Sequence, residues 1–217
     1  SLAQLPATNW LKRNPFVTDH VTEGDSGIFD LLLHARDRAY DVPGIDELLA
    51  GAGLRIVSFA SPARYDPATY LSDAALVRRL DGKSMIERAA FAENLSGNIK
   101  SHVFYAVRAA NQVAAPSPDR PDAVPVYCEP ETAGIARRFK AGATLSAGVD
   151  GWTVKLPLPS LTAGIAEFID GRRDLAAIHR ELTARRSDLS WDEFVRQFQM
   201  YFAAFNGVGH LMLRRPV

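Results

Sequence analysis

The strongest constraint on the fold is a helix that passes directly into a strand in residues 41–59, DVPGIDELLAGAGLRIVSF. Asp41 is a good N-cap, and Pro43 lies in the first turn, where a backbone N–H would have no helical partner. Gly53 can adopt the left-handed conformation that ends a helix, and the β-type run Leu54–Phe59 starts at the next residue. We therefore expect a helix and a strand joined by a tight connection.

A second helix in the first half of the chain has clear signals at both ends. Ser84 and Glu87 form an S-x-x-E capping box, and Gly97 is placed to end the helix. Residues 102–108, HVFYAVR, are β-branched and aromatic enough to form another strand. Ser72 is expected to cap a short helix between the two strands.

A proline-rich segment separates the two halves of the chain. Residues 114–125, AAPSPDRPDAVP, disfavour both helix and sheet and read as a linker. The predicted domains are therefore residues 1–113 and residues 126–217. Lys and Arg number 12 against 13 Asp and Glu before residue 114, and 13 against 12 from there on. Neither half is a basic module.

The second half shows a different order of elements. We expect a short helix at 132–139, a strand at 152–158, helices at 161–169, 175–184 and 191–205, and a closing strand at 209–215. Ser190 and Glu193 are expected to form a capping box for the last helix. Strand, three helices and strand resembles a winged-helix fold. The fold class is therefore α+β: a mostly helical first domain with a small strand pair, followed by a winged-helix-like α+β domain.

Several segments of the first half resemble class I S-adenosylmethionine-dependent methyltransferases of bacteria, including protein-lysine methyltransferase-like enzymes. The helix-strand unit of residues 41–59 resembles a late unit of their sheet, whose last two strands form an antiparallel pair. The other segments resemble the regulatory region of these enzymes: residues 5–15; Phe29, Leu31 to Leu33, His34, Asp37, Arg38, Tyr40 and the Val42-Pro43 pair; Pro62 to Tyr65; Tyr70 and Leu71; Glu93 to Leu95; Gly97 and Asn98; and His102 to Tyr105.

The resemblance implies that the chain is the C-terminal portion of a transferase that methylates a substrate. The expected role is regulatory or substrate-docking, and the chain alone is expected to be inactive. S-adenosylmethionine would be bound by a Rossmann-like domain outside these residues, because no strand, glycine-rich turn and helix follow one another here in the order that a nucleotide site needs. The expected partners are that catalytic domain and a protein substrate or second subunit. The alternative is a stand-alone winged-helix module that binds protein or is associated with transcription.

The candidate functional residues are His34, Asp37, Arg38 and Tyr40, which lie within seven positions of one another. Such a set could orient a substrate or carry a proton at the mouth of the catalytic domain's site. The structural alternative is a local ion pair between Asp37 and Arg38, with His34 at the C-terminus of the preceding helix. No catalytic or cofactor-binding residue is assigned within the chain.

Other kinds of site find little support in the sequence. The five histidines show no metal-binding spacing, so no metal site is expected. The single cysteine, Cys128, reads as a buried strand residue. No apolar run approaches the length of a membrane span, and no secretion signal is recognisable, so the expected location is the cytoplasm.

DNA binding is weighed because the second half resembles a winged helix. The recognition helix would be residues 191–205, and a DNA-binding helix needs an exposed basic face. Arg196 is its only basic residue, and its aromatic side chains recur at core spacing. DNA is therefore not the expected partner.

Overall fold

The computed structural model describes residues 4–14, 18–33, 35–36, 38–149 and 151–216. Contacts within the chain divide it into two compact units, Ser1–Tyr40 and Asp41–Val217. The first unit contains the short helices α1 (Trp10–Arg13), α2 (Asp19–Thr22) and α3 (Gly24–Leu32).

The second unit combines helices with small antiparallel strand pairs, so the expected α+β class is confirmed. Two 3₁₀ helices, Pro62–Tyr65 and Pro67–Thr69, follow its first strand. Its helices are α4 (Val42–Gly51), α5 (Ala74–Arg78), α6 (Met85–Ser96), α7 (Pro130–Ala136), α8 (Thr162–Phe168), α9 (Leu175–Arg185) and α10 (Trp191–Gly207). Its strands are β1 (Leu54–Phe59), β2 (Phe104–Arg108), β3 (Val124–Tyr127), β4 (Thr144–Val149), β5 (Trp152–Pro157) and β6 (Leu211–Arg214).

The connection between α4 and β1 has the form that the sequence predicts. Oδ1 of Asp41 accepts the Gly44 N–H at 2.8 Å, which caps the helix. Gly53 has φ of 70°, and its carbonyl accepts the Ala109 N–H at 2.8 Å just beyond the end of β2. The strand β1 pairs antiparallel with β2.

The capping box of α6 is confirmed, since Ser84 and Glu87 satisfy each other's backbone N–H groups. Gly97 ends the helix with φ of 62°. The expected cap at Ser72 is wrong, because the carboxylate of Asp73 accepts the first N–H groups of α5 instead. An aspartate one residue later lies closer to those donors.

A hydrophobic core in the second half of the chain is centred on α10. Phe194, Phe198, Tyr201 and Phe205 recur at helical spacing and are fully buried. They pack with residues of α8, α9 and β6 in one cluster. Aromatic side chains of this size contribute more buried apolar area than any other residue type, so α10 organises this half of the fold.

The end of the proline-rich segment is part of this core. Val124 and Pro125 belong to β3 and pair with Arg214 and Leu213 of β6. A strand tolerates proline at its edge, where the ring removes no ladder hydrogen bond. The division of the chain at residues 114–125 stays a prediction.

The expectation that Cys128 is buried is wrong. The strand β3 ends at Tyr127, and the Cys128 side chain is exposed. Its backbone still donates to the His210 carbonyl at 3.0 Å, which extends the β3–β6 ladder by one residue. At the end of the VPVYC run, the backbone of Cys128 therefore still pairs with the other strand, but its side chain does not join the hydrophobic core.

Two strands flank the three helices α8, α9 and α10 in the expected order. The strand β5 forms a hairpin with β4, and β6 pairs with β3. Ser190 caps α10 by accepting the Glu193 N–H at 3.2 Å. None of the described helices has both the length and the apolar character that a bilayer crossing requires.

Candidate functional site

His102 occupies the centre of a hydrogen-bonded series of three largely buried side chains. Its Nε2 lies 3.1 Å from Oε1 of Glu93, and its Nδ1 lies 3.0 Å from the hydroxyl of Tyr65. Only 8% of the His102 side chain is exposed, and 17% of the Glu93 side chain. Both ring nitrogens are therefore engaged away from bulk water.

Glu93 extends this series of hydrogen bonds to a fourth segment of the protein. It lies on the last turns of α6, and its Oε2 accepts the N–H of Val42 at 2.9 Å. Val42 is the first residue of α4, so this donor has no partner within its own helix. The carboxylate thus joins the N-terminus of α4 to the segment that leads into β2.

Tyr65 is held in place by its ring as well as its hydroxyl. It ends the 3₁₀ helix Pro62–Tyr65, and only 6% of the residue is exposed. Its ring stacks on Phe59 of β1 with centroids 3.8 Å apart. The rotamer that brings the hydroxyl to His102 is therefore fixed by packing.

The geometry sets the order of the protons. An ionised carboxylate only accepts hydrogen bonds, so Nε2 of His102 carries a proton. In the neutral imidazole Nδ1 then accepts, and the hydroxyl of Tyr65 donates to it. The three side chains therefore form one directional series of hydrogen bonds, from Tyr65 through His102 to Glu93.

A cavity of about 400 Å³ lies beside this chain and is lined in part by Tyr65. Phe59 and Met85 form apolar parts of its wall, and Asp66 and Arg88 supply charge. The Arg88 guanidinium lies 3.1 Å from the Asp66 carboxylate, so these two charges neutralise each other.

The structure describes only part of the cluster that the sequence singles out. His34 and Asp37 lie outside the described residues. Arg38 is exposed, and its guanidinium carbon lies 4.7 Å from the centroid of the Tyr40 ring, a cation–π contact. The proposed role of this cluster stays a prediction.

Sequence reasoning missed the Glu93, His102 and Tyr65 chain as a unit. It treated His102 as the first residue of a strand, whereas β2 begins two residues later, at Phe104. The signal that could have found the chain is the resemblance itself. The segments Pro62 to Tyr65, Glu93 to Leu95 and His102 to Tyr105 each contribute one of its members.

The described residues offer neither a metal-binding group nor a basic face on α10. These contain no group of three or more His, Cys, Asp or Glu side chains arranged to hold a metal ion. Arg196, the single basic residue of α10, is paired with Glu193 on the same helix. That pairing reduces the positive charge that α10 could offer to phosphates.

No model of a known protein family matches the chain. A search of curated proteins likewise returns no significant match.

Proposed function

We propose that this chain is the regulatory or substrate-docking portion of an S-adenosylmethionine-dependent methyltransferase, and that another domain of the same protein binds the cofactor. The observation that carries the proposal is the hydrogen-bonded chain of Glu93, His102 and Tyr65. Three segments quoted for the methyltransferase resemblance, far apart in sequence, each supply one member of it. A shared structural unit explains that convergence better than chance similarity of short segments does.

The β1–β2 pair gives a second line of support. Its strands are antiparallel and follow a capped helix, which is the arrangement that the resemblance implies for the end of a methyltransferase sheet. Tyr65 and Phe59 pack on one side of this pair, and Glu93 anchors α6 to α4 beside it. In this proposal Glu93, His102 and Tyr65 fix the positions of α4 and α6 beside the β1–β2 pair. The cofactor chemistry belongs to the catalytic domain.

Calorimetry with S-adenosylmethionine tests the proposal. The cofactor is titrated into this 217-residue chain and, separately, into the product of the complete gene, with injections into buffer as the control. We expect heat of binding only from the longer protein. A complete gene product that binds no cofactor, or that is no longer than these residues, would overturn the proposal.

The second candidate is a stand-alone module that binds protein or is associated with transcription. The order β5, α8, α9, α10, β6 favours it, because it follows the element order of a winged helix. An electrophoretic shift with random duplex DNA at low salt tests its nucleic-acid form, since non-specific phosphate binding is strongest there. We expect no shift, because Arg196 is the only basic residue of α10.

A further inference from the structure

The strand β5 has one edge without a partner strand. It pairs with β4 on one side only, and the Leu158 N–H continues that ladder by donating to Ala143 at 2.8 Å. In an antiparallel ladder the bonded residues alternate, so Val154 and Leu156 direct their backbone groups to β4. Thr153 and Lys155 direct theirs to the opposite edge. Within the described residues, no backbone hydrogen bond joins either of them to an element outside the hairpin.

A cleft of about 500 Å³ runs along this edge. Four consecutive residues of β5, 153–156, line it, although their side chains alternate between the two faces of the strand. A space that touches all four lies at the edge of the strand. None of the lining residues belongs to β4, which agrees with this placement.

Small residues of two neighbouring elements form part of the cleft wall. They are Ala203 and Gly207 of α10 and Ala63 of the 3₁₀ helix Pro62–Tyr65. A Cβ on Gly207 would lie 3.4 Å from Leu156 and 3.5 Å from Ala63, so the cleft narrows at that point. Small side chains thus frame an edge whose N–H and C=O groups point into the space.

Two charged side chains line the cleft, and they differ in whether they form an ion pair. Asp66 lines it, and its carboxylate is already engaged by Arg88 at 3.1 Å. Lys155 also lines it, and none of the ion pairs of the described residues includes it. An occupant with a carboxylate opposite Lys155 would complement this charge.

We propose that an extended peptide of a partner protein, carrying an acidic side chain, adds to the free edge of β5 as a third strand. Main-chain hydrogen bonds from Thr153 and Lys155 supply its affinity, and the Lys155 ammonium selects the acidic residue. The inference rests on the proposed function in that it names where such a region docks its protein partner. It concerns only residues of this chain and can be tested without the cofactor.

The test uses two heptapeptide libraries, one with Glu and one with Lys fixed at the central position, measured by fluorescence polarisation against the whole chain. We expect the Glu library to bind better by about threefold to tenfold. Lys155→Glu should reverse that preference. Lys140→Glu, an exposed lysine outside the cleft, is the matched control and should leave it unchanged.

Backbone pairing has its own readout. N-methylation along the best peptide should weaken binding by about tenfold at every second position, because only alternate N–H groups face the strand. Thr153→Pro removes an N–H that faces the cleft, so it should weaken binding without lowering the melting temperature. Ala203→Phe should block the cleft from an exposed position on α10.

Three results would overturn the inference. The first is that neither library binds the parent chain more tightly than it binds the Ala203→Phe variant. The second is an N-methyl scan without the two-residue period. The third is a dimer in sedimentation velocity that Thr153→Pro abolishes, which would assign the edge to a second copy of this chain. Peptide binding by a gene product that binds no S-adenosylmethionine would keep the docking edge and overturn the methyltransferase assignment alone.

Discussion

Oε2 of Glu93 accepts the backbone N–H of Val42 at 2.9 Å, across 51 residues of sequence. The same carboxylate receives His102 on its other oxygen at 3.1 Å. The Glu93 side chain thus accepts a backbone N–H that has no partner within α4. It also orients the imidazole of His102, the residue that lies two positions before β2.

Glu93→Gln is expected to lower the free energy of unfolding by about 1–3 kcal/mol. The carboxamide presents an NH₂ group to one of two donors, so either Val42 or His102 loses its acceptor. Urea denaturation at neutral pH measures the change. Asp188→Asn is the matched control, since its pair with Arg186 is exposed and its loss should change the unfolding free energy far less. Equal effects of the two substitutions would contradict the assigned role of Glu93.

Tyr65→Phe is expected to cost about 1–2 kcal/mol, because Nδ1 of His102 loses its donor while the stack on Phe59 remains. Nitrogen NMR of the imidazole checks the proton order directly. We expect His102 to carry its proton on Nε2 in the parent chain. A proton on Nδ1 at neutral pH would contradict the donor order.

Sequence reasoning succeeded where the signal was local. Asp41, Ser84 and Gly97 perform the capping roles expected of them, because each acts on backbone groups within four residues. The start and end of a helix can therefore be predicted from a short window.

The chain of Glu93, His102 and Tyr65 could not be predicted in the same way. Its members are 9 and 37 residues apart, and their contact depends on how α6 and the 3₁₀ helix pack beside β1. Single polar residues on separate elements give no periodic signal, so each of them was interpreted separately.

The strand β4 was missed for a related reason. Its residues 144–149, TLSAGV, include Ser146, Ala147 and Gly148, which have little preference for strands. Pairing with β5 is what stabilises it, and each of its six residues has a partner there. Such a strand is specified by its neighbour more than by its own composition.

We expect the protein to lose stability at high pH because the buried hydroxyl of Tyr127 then ionises. Burial raises its pKa from 10.0 to about 12, although the hydrogen bond with Tyr201 partly opposes the effect. The folded state therefore favours the neutral phenol. This contribution is complete below pH 10 and is lost as the pH rises through about 12, by roughly 3 kcal/mol.

Tyr127→Phe should reduce that loss. Urea denaturation at pH 7, 10 and 12 measures the slope in both proteins. The variant should lose the part of the slope that Tyr127 contributes and keep the part that Tyr201 contributes, because burial raises the pKa of Tyr201 as well. Identical slopes would show that Tyr127 does not titrate as described.

Arg38 tests the cluster that the sequence singled out. Its side chain is exposed and contacts the Tyr40 ring, so Arg38→Ala should change stability by less than about 0.5 kcal/mol. In the complete gene product we expect the same substitution, and Asp37→Asn, to lower methyl-transfer turnover. Loss of folding without a selective loss of turnover would make the cluster structural.

The contact between Glu93 and His102 carries the proposed function, and a double-mutant cycle between these two residues tests it most directly. Unfolding free energies are measured for the parent, Glu93→Gln, His102→Gln and the double variant, beside the same cycle for Arg186→Gln and Asp188→Asn. We expect a coupling free energy of at least about 1 kcal/mol for the largely buried Glu93 and His102 pair and near zero for the exposed pair. A coupling below about 0.3 kcal/mol at Glu93 and His102 would contradict it.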